Sequence, residues 1–245
     1  MWLREKLNDK YALVCFSGGK DSIVTEKLVR MSGVNHTLQS TLTGIDPPQV
    51  TRFIRKNYQH CKFVRPRQSF WHLITTHNPS GGTGRGIKWC CTKIKEWPSA
   101  KSPIVDRIIG IRAEESTGRR KYPRINHIES KAPGSKCKHQ IHYYPIFYWK
   151  EWNVWEFIEQ HGLAYPKLYD EGFDRLGCVI CPNHHNHHEP YRERWPQHFK
   201  CFEKYVKIWW YKRKGQGREM WHNSPEEFLE DWYRGKFYYY KHDRP

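Results

Sequence analysis

The segment Ser17-Gly-Gly-Lys-Asp-Ser22 holds residue types that phosphate chemistry uses. The run 11–16 before it is typical of a short buried strand, and 23–31 after it carries its apolar residues on one helix face. A strand-to-helix turn aims backbone N–H groups and the positive helix end at one point, and glycines leave room for an anion. The sequence therefore predicts a phosphate-binding turn. The alternative is a plain glycine turn in an α/β protein.

Eight cysteines form the second set of residues that could do chemistry. In a chain with the marks of an intracellular protein, this number argues for metal or redox chemistry and against a disulfide scaffold. Cys15, in the first strand, and Cys201, in a helical segment, are expected to be small buried apolar groups. Cys90-Cys91 and Cys178-x-x-Cys181 stand apart from these by their spacing.

The composition is strongly basic, with 42 Lys and Arg against 25 acids, and it includes 12 Trp and 15 Tyr. Such a chain favours polyanions, and its aromatic side chains can stack on bases, so nucleic acid is a candidate partner. The alternative is that the charge serves solubility and the aromatics fill a core. Because no apolar run approaches the roughly 18 residues of a membrane span and the N-terminus has no signal-peptide core, a cytoplasmic protein without a membrane partner is expected.

Strand and helix signals alternate through the first half of the chain. We therefore expect an α/β fold with a doubly wound, mostly parallel sheet that binds ligands at the carboxyl ends of its strands. The segments 78–86 and 116–137 are expected to be loops, the second either a mobile basic lid or disordered. Strands are expected at 11–16, 37–43, 61–64 and 107–112, and helices at 23–31, 50–58 and 70–76.

From Tyr143 the sequence changes to an aromatic-rich helical part. Helices are expected at 149–161, at about 191–212, and after a serine cap and a proline in Ser224-Pro-Glu-Glu227. We expect residues 1–182 to form a nucleotide-binding domain that includes the cysteine site. Residues 183–245 are expected to form a helical extension packed on that domain.

Several separated segments, taken together, resemble one family. Ser17–Ser22 matches Ser-Gly-Gly-x-Asp-Ser, 43–48 is similar to a Thr-Gly turn, and 110–116 is similar to Gly-x-Arg-x-x-x-Ser. Tyr-Pro-Ile, Trp-Asn-Val-Trp and Tyr-Pro-Lys-Leu-Tyr-Asp-Glu-Gly follow at 144–146, 152–155 and 165–172. The chain resembles the phosphoadenylyl-sulfate (PAPS) reductase family of the adenine nucleotide α-hydrolase superfamily, whose N-type ATP pyrophosphatases share the first loop. The resemblance covers residues 11 to about 182 and implies an adenine nucleotide α-hydrolase-like fold.

The resemblance implies an adenine nucleotide as ligand and Lys20, Asp21 and Arg112 as catalytic residues. Lys20 and the loop N–H groups would hold ATP phosphates, Asp21 would hold Mg²⁺, and Arg112 would pair with phosphate or sulfate oxygens. Such an enzyme attaches AMP to a substrate oxygen and releases pyrophosphate, which prepares that position for sulfur. The implied nucleotide-binding residues are Ser17, Gly18, Gly19, Lys20, Asp21, Ser22, Thr43, Gly44, Gly110, Arg112, Ser116 and Arg119.

Iron–sulfur members of the family hold a [4Fe–4S] cluster with a tandem Cys-Cys and a distant Cys-x-x-Cys. This implies four ligands here, Cys90, Cys91, Cys178 and Cys181. Four thiolates also suit zinc, but a tandem pair gives zinc awkward geometry, whereas a cluster takes each thiolate on a different iron, so the cluster is favoured. The histidines of 184–188 could extend a zinc site or lie in a polar loop, and the set Cys137, His139 and His142 is left outside the site.

Two activities fit the resemblance. One is activation of a substrate, such as DNA or RNA, for sulfur insertion, similar to the iron–sulfur subunit of DNA phosphorothioation systems and to tRNA thiolases. It would use a sulfur-donating partner, a cysteine desulfurase or a thioredoxin-like protein. The other is reduction of adenylyl sulfate or phosphoadenylyl sulfate to sulfite. Reductases of this kind carry a nucleophilic cysteine near the C-terminus, and since the last cysteine here is Cys201, sulfur insertion is favoured.

A third interpretation is a non-catalytic, basic nucleic-acid-binding module with a vestigial nucleotide pocket. The intact loop, with both Lys20 and Asp21, argues against such decay.

Overall fold

A computed structural model of the chain describes residues 2–79, 89–130, 135–182, 188–220 and 222–234. They fall into two compact units. The first comprises Met1–Leu42, Pro48–Arg65 and Glu96–Leu176, and the second comprises Thr43–Pro47, Pro66–Lys95 and Gly177–Pro245. The division into domains at residues 182 and 183 stays a prediction.

The first unit contains a six-stranded sheet in the order β3-β2-β1-β4-β6-β5. All neighbouring strands are parallel except β5 and β6, which are antiparallel. Central β1 is a continuous apolar run because both of its faces are buried, as the successive residues Ala12, Leu13 and Val14 show. It pairs with a strand on each side, Val14 lying opposite Leu38 and Ile108. The strands are β1 Ala12–Cys15, β2 His36–Thr41, β3 Lys62–Val64, β4 Asp106–Ile109, β5 Ile125–Glu129 and β6 His139–Tyr143.

The α-helices bury apolar faces within each unit. In the first unit Val24 of α2 packs with Ile146, Val154 and Ile158. The helices are α1 Trp2–Leu7, α2 Lys20–Ser32, α3 Pro48–Asn57, α4 Phe70–Ile74, α5 Trp97–Ala100, α6 Glu151–Gln160, α7 His188–Arg194, α8 Pro196–Gly215 and α9 Pro225–Tyr233. A π-helix spans Cys91–Glu96, and 3-10 turns span Ala113–Glu115, Arg119–Lys121 and Lys167–Tyr169.

The predicted α/β class, with its mostly parallel sheet and helical C-terminal part, is confirmed. The expectation of a loop over 116–137 was wrong, because this segment contains a 3-10 turn and β5. β5 is an edge strand with no buried face, so its conformation depends on pairing with β6 and not on a local apolar pattern. Residues 80–86 and 131–134 of the two expected loops lie outside the described residues.

The helix expected over 191–212 is two helices, α7 and α8, separated at Trp195. Pro196 explains the break, since proline disfavours helical backbone in the preceding residue, and Trp195 has φ −130° and ψ 58°. The capped helix predicted at Ser224 is confirmed as α9, in which the Glu227 N–H donates to Ser224 Oγ at 3.1 Å.

Candidate nucleotide and metal sites

The predicted phosphate turn joins the end of β1 to the first residue of α2, as the sequence indicated. Gly18 has φ +76°, and a Cβ placed there would lie 2.8 Å from Ile54 and 2.9 Å from Val50, both in α3. A side chain at Gly18 is therefore excluded twice, by the left-handed backbone and by the packed helix. The space beside this glycine belongs to α3, which differs from the expected role of leaving room for an anion.

Hydrogen bonds within the turn fix its two serines. Ser17 Oγ donates to Ser22 Oγ at 3.2 Å, and Ser22 Oγ lies 2.8 Å from the Gly19 carbonyl. The Gly19 N–H donates to Ser17 Oγ at 3.4 Å. The hydroxyl groups thus brace the loop, and their predicted contact with phosphate stays a prediction.

Lys20 begins α2 and is buried, with 4% of its surface exposed. Its ammonium donates to the Asp174 carbonyl at 2.7 Å, pairs with Glu151 at 3.1 Å, and lies 5.2 Å from the centre of the Tyr169 ring. Its backbone N–H donates to the Tyr169 hydroxyl at 2.9 Å, and burial raises the pKa of that hydroxyl. The lysine predicted to bind phosphate is thus held by partners from a distant segment.

Asp21 is held by a buried arginine in the segment between β4 and the 3-10 turn Ala113–Glu115. Arg112 Nε donates to Asp21 Oδ1 at 2.5 Å, and the arginine side chain is only 4% exposed. Gly110 permits this approach, because a Cβ there would lie 2.7 Å from the Asp21 carbonyl oxygen and 2.8 Å from Thr25 Oγ1. The structure thereby brings together Asp21, Gly110 and Arg112, three residues predicted for one site.

Arg112 has hydrogen-bonding capacity beyond this pair. Its Nη1 is buried without a hydrogen-bond partner among the described residues, and it lies 3.8 Å from a carboxylate oxygen of Glu114. Its Nη2 lies 3.9 Å from Glu151. Such a buried, unsatisfied N–H is costly and suits an anionic oxygen. A cavity of about 310 Å³ adjoins this part of the first unit, lined by Ala113, Glu114, Arg120, Phe147, Tyr148, Trp149 and Lys150.

Ser116 and Arg119 have contacts within the segment that follows Arg112. The Arg119 N–H donates to Ser116 Oγ at 3.2 Å, and the Arg119 side chain pairs with Glu115. Glu115 also accepts from the Arg112 N–H at 2.9 Å, so the whole turn is tied to the arginine. No hydrogen bond or ion pair of the described residues joins Ser116 or Arg119 to the phosphate turn, and their nucleotide role stays a prediction.

Thr43 and Gly44 belong to the second unit. Thr43 Oγ1 donates to Asp46 at 2.6 Å and accepts from the N–H groups of Ile45 and Asp46, which closes a tight turn. Gly44 has φ +77°, as such a turn requires. The Ile45 carbonyl accepts from the Val179 N–H at 2.7 Å. The turn is thus tied directly to the Cys178–Cys181 segment.

The four predicted metal-binding cysteines lie in the second unit and influence one another. A hydrogen bond with Cys91, burial, and the charges of Cys91, Cys178 and Cys181 all raise the pKa of Cys90. Burial raises the pKa of Cys178 to about 12, against the opposing effect of Lys95. These shifts oppose thiolate formation in the protein alone, and a bound cation would reverse them.

Lys95 is a cation beside this set. The charge of Cys178 raises the pKa of Lys95, and Lys95 Nζ also lies 3.6 Å from Asp46. Lys95 therefore links the Thr43 turn to the cysteines through charge.

The donor chemistry of the set fits a [4Fe–4S] cluster, because soft thiolates select iron–sulfur clusters and zinc. No three thiol, imidazole or carboxylate groups among the described residues are arranged around a single ion. The choice of ligands stays a prediction, and histidines 184, 185 and 187 lie outside the described residues.

The remaining cysteines differ from one another. The Cys137 thiol donates to the His139 carbonyl, 2.6 Å away, which leaves that set outside the site. Burial raises the pKa of Cys15, as expected for an inert strand residue. The expectation for Cys201 was wrong, since it is exposed on α8. Its helix buries Phe199 and Phe202 instead, and Cys201 falls on the opposite face.

Two residues that help to build the site were not predicted for it. Tyr169 binds the Lys20 N–H, and Glu151 pairs with Lys20 and approaches Arg112. Tyr169 lies in the 165–172 stretch that carried part of the family resemblance, so a signal existed. Glu151 gave none.

The mostly parallel sheet, with a strand-to-helix turn after its central strand, is that of an α/β protein. The family model of the phosphoadenosine phosphosulfate reductase domain matches residues 11–184, and the chain belongs to this family. None of the described helices is both long and apolar enough to cross a membrane.

Two curated relatives illustrate the range of the matches. An uncharacterized protein of Methanocaldococcus jannaschii is 28% identical over 96% of this chain and 47% of its own length. An adenosine 5′-phosphosulfate reductase of Oceanobacillus iheyensis is 34% identical over 38% of this chain and 36% of its own length. The chain thus spans about half the length, or less, of these relatives. Among solved structures, the U34-tRNA thiolase NcsA of Methanococcus maripaludis, with its [4Fe–4S] cluster, has a TM-score of 0.43 and 16% identity over 89% of this chain and 79% of its own.

Proposed function

We propose that the chain is an enzyme that uses ATP to activate a substrate for sulfur insertion. A substrate oxygen attacks the α-phosphorus of ATP, the bond to the bridging oxygen of the β-phosphate breaks, and pyrophosphate leaves. The substrate keeps AMP as a leaving group for the incoming sulfur. Positioning and charge neutralisation are what such a transfer asks of a protein.

The observation that carries this proposal is the carboxylate of Asp21 at the phosphate turn, 21% exposed and paired with Arg112. A carboxylate beside bare phosphates repels them, whereas a shared divalent cation turns the repulsion into attraction. Mg²⁺ binds through one or two carboxylates together with substrate phosphates, which suits the triphosphate of ATP. Asp21 therefore favours ATP over a sulfonucleotide, whose 5′ end carries only one phosphate beside its sulfate.

The described residues have separate tasks in this scheme. Arg112 orients Asp21 through Nε and offers its buried Nη1 to a phosphate oxygen. Lys20 adds positive charge at the helix N-terminus while Glu151 and Asp174 hold it in place. Cys90, Cys91, Cys178 and Cys181 would hold the cluster, which when bound supplies a redox-active, thiophilic metal site.

The activated substrate is nucleic acid in this proposal, because a formal charge of +17 favours a polyanionic acceptor. A sulfur-donating protein, a cysteine desulfurase or a thioredoxin-like partner, supplies the sulfur.

The test is to incubate anaerobically prepared protein with ATP and Mg²⁺, with and without RNA or DNA, and to measure pyrophosphate. Pyrophosphate release is expected, together with AMP bound to the acceptor. Asp21→Asn should retain nucleotide binding better than Mg²⁺-dependent turnover, since it keeps the shape but loses the cation ligand. Consumption of sulfonucleotide with no pyrophosphate under any condition would refute the proposal.

The second candidate is sulfonucleotide reduction, favoured by the 34% identity to an adenosine 5′-phosphosulfate reductase over 94 residues. In that reaction a thiolate attacks the sulfur of the sulfonucleotide and AMP, or its 3′-phosphate, leaves. A thioredoxin-like reductant then releases sulfite from the thiosulfonate. Sulfite formed from adenylyl sulfate or phosphoadenylyl sulfate, without nucleic acid or ATP, would establish this candidate.

A further inference from the structure

The outer face of α8 carries a stripe of lysines. Residues at spacings of four and three along a helix share one face, and here these positions hold four lysines and one tyrosine. We call this set the α8 stripe: Lys200, Lys204, Lys207, Tyr211 and Lys214, all exposed. At 1.5 Å per residue it runs about 21 Å along the helix.

The charge of α8 is one-sided. The helix has six Lys and Arg against one acid, Glu203, which accepts from the Tyr233 hydroxyl at 2.8 Å and lies 3.5 Å from Arg192. Lys207 pairs with Glu226 of α9 at 2.7 Å, whereas Lys200 and Lys204 have no acidic partner among the described residues. The stripe is therefore a row of cations that the described part of the chain leaves mostly unneutralised.

Helix stability does not account for this row. Cations in the last turn, such as Lys212, Arg213 and Lys214, complement the helix dipole, but Lys200 and Lys204 lie before that turn. Like charges four residues apart, as in this pair, repel and weaken a helix. A polyanion along the face would turn that repulsion into attraction.

Exposed apolar surface lies beside the cations. Tyr211 is 60% exposed and Ile208 is 43% exposed, although most other large apolar residues of α8 are buried. An exposed tyrosine between lysines suits a base stacked on its ring and phosphates on either side. One strand of a stacked duplex carries a phosphate about every 3.4 Å of axis, so at most about six phosphates of a single strand span the stripe.

We propose that the α8 stripe binds the backbone of a single nucleic-acid strand, with Tyr211 stacking on one base. This inference rests on the proposed function in one respect, because it takes the bound strand to be the nucleic acid that is activated for sulfur insertion. Binding is measured without ATP, so a failure here leaves pyrophosphate release from ATP as a separate result.

The test is fluorescence anisotropy of the full chain with labelled single-stranded RNA and DNA of about 20 nucleotides, over a series of salt concentrations. Replacing Lys200, Lys204 and Lys214 together by alanine should weaken binding at least tenfold. The plot of log affinity against log salt has a negative slope, and its magnitude should decrease by about 0.7 for each lost contact. Lys207 is kept because of its ion pair with Glu226. The matched control removes the exposed Lys56, Lys62 and Lys101 of the first unit, the same change in charge, and should bind like the wild type.

Tyr211→Ala should weaken single-strand binding about 5- to 100-fold, and Tyr211→Phe should restore it, because stacking needs the ring and not the hydroxyl. Circular dichroism should show unchanged helix content in these variants. The proposal fails if the triple variant keeps the wild-type salt slope, or if the control loses as much affinity. It also fails if only anionic vesicles, of phosphatidylcholine and phosphatidylserine at about 7:3, respond to the lysine changes.

Discussion

The phosphate turn and the cysteine set differ in how their charged groups are stabilised. In the turn, Lys20 and Asp21 have partners within the fold, Glu151 and Arg112. In the cysteine set the thiols crowd one another, and burial and neighbouring charge raise the pKa of Cys178 and Cys90. The turn is completed by the packing of the protein, whereas a bound metal would offset the effects that raise the pKa of Cys90 and Cys178. Folding and metal binding should therefore separate experimentally in the two regions.

The largest expected effect is on metal binding. Cys90→Ser or Cys181→Ser should lose most of the roughly four irons per chain and the broad visible absorbance of a cluster, because each removes a thiolate ligand. Iron and zinc analysis of anaerobically purified protein measures this. Cys201→Ser is the matched control and should keep its iron, since Cys201 is exposed on α8 and outside the set. Colourless wild-type protein with one zinc would overturn the cluster assignment.

Breaking the charge pair of the turn should have the next largest effect. Arg112→Ala leaves Asp21 without its buried partner, and losing one member of such a pair costs about 3 kcal/mol of unfolding free energy. Adding Asp21→Asn should recover part of this loss, because the stranded charge is removed. Urea unfolding of both single variants and the double variant gives the coupling free energy between Arg112 and Asp21. Strictly additive losses would show that the pair does not organise the turn.

Gly110→Ala should disturb the turn by packing alone. The new Cβ would lie 2.7 Å from the Asp21 carbonyl oxygen, so the first turn of α2 must shift. We expect about 1–3 kcal/mol lower stability and weaker ATP binding by calorimetry. Gly118→Ala is the control, since its Cβ would meet only Ser116 Oγ at 3.9 Å. Equal ATP affinity in both variants would contradict a role for this close approach in nucleotide binding.

The smallest effect concerns the cation beside the thiols. Lys95→Gln should keep the iron but lower the reduction potential of the cluster, because positive charge near Cys178 favours the reduced, more negative state. Spectroscopic redox titration checks this, with the exposed Lys101→Gln as control. If the Lys95→Gln variant has the reduction potential of the wild type, Lys95 does not influence the cluster.

The sequence located the phosphate turn because its signal is local, a loop of six residues between a strand and a helix. The contact of Tyr169 with Lys20 spans 149 positions, so no local pattern reports it. β5 was missed because its pairing with β6 and not its own residues determines its conformation. The break before α8 was readable in Pro196, but the aromatic helical pattern on both sides hid it.

Because its hydroxyl accepts a hydrogen bond from the Lys20 N–H, Tyr169 competes with any ligand oxygen that would bind this donor. An incoming oxygen at this donor must displace the tyrosine and gains only the difference between two hydrogen bonds. A neutral oxygen gains almost nothing by the exchange, whereas hydrogen bonds to ionised acceptors are about twice as strong. In the proposed function, Tyr169 is thus an internal competitor that favours ionised phosphate oxygens over neutral hydroxyl or carbonyl oxygens at this N–H, without any steric barrier.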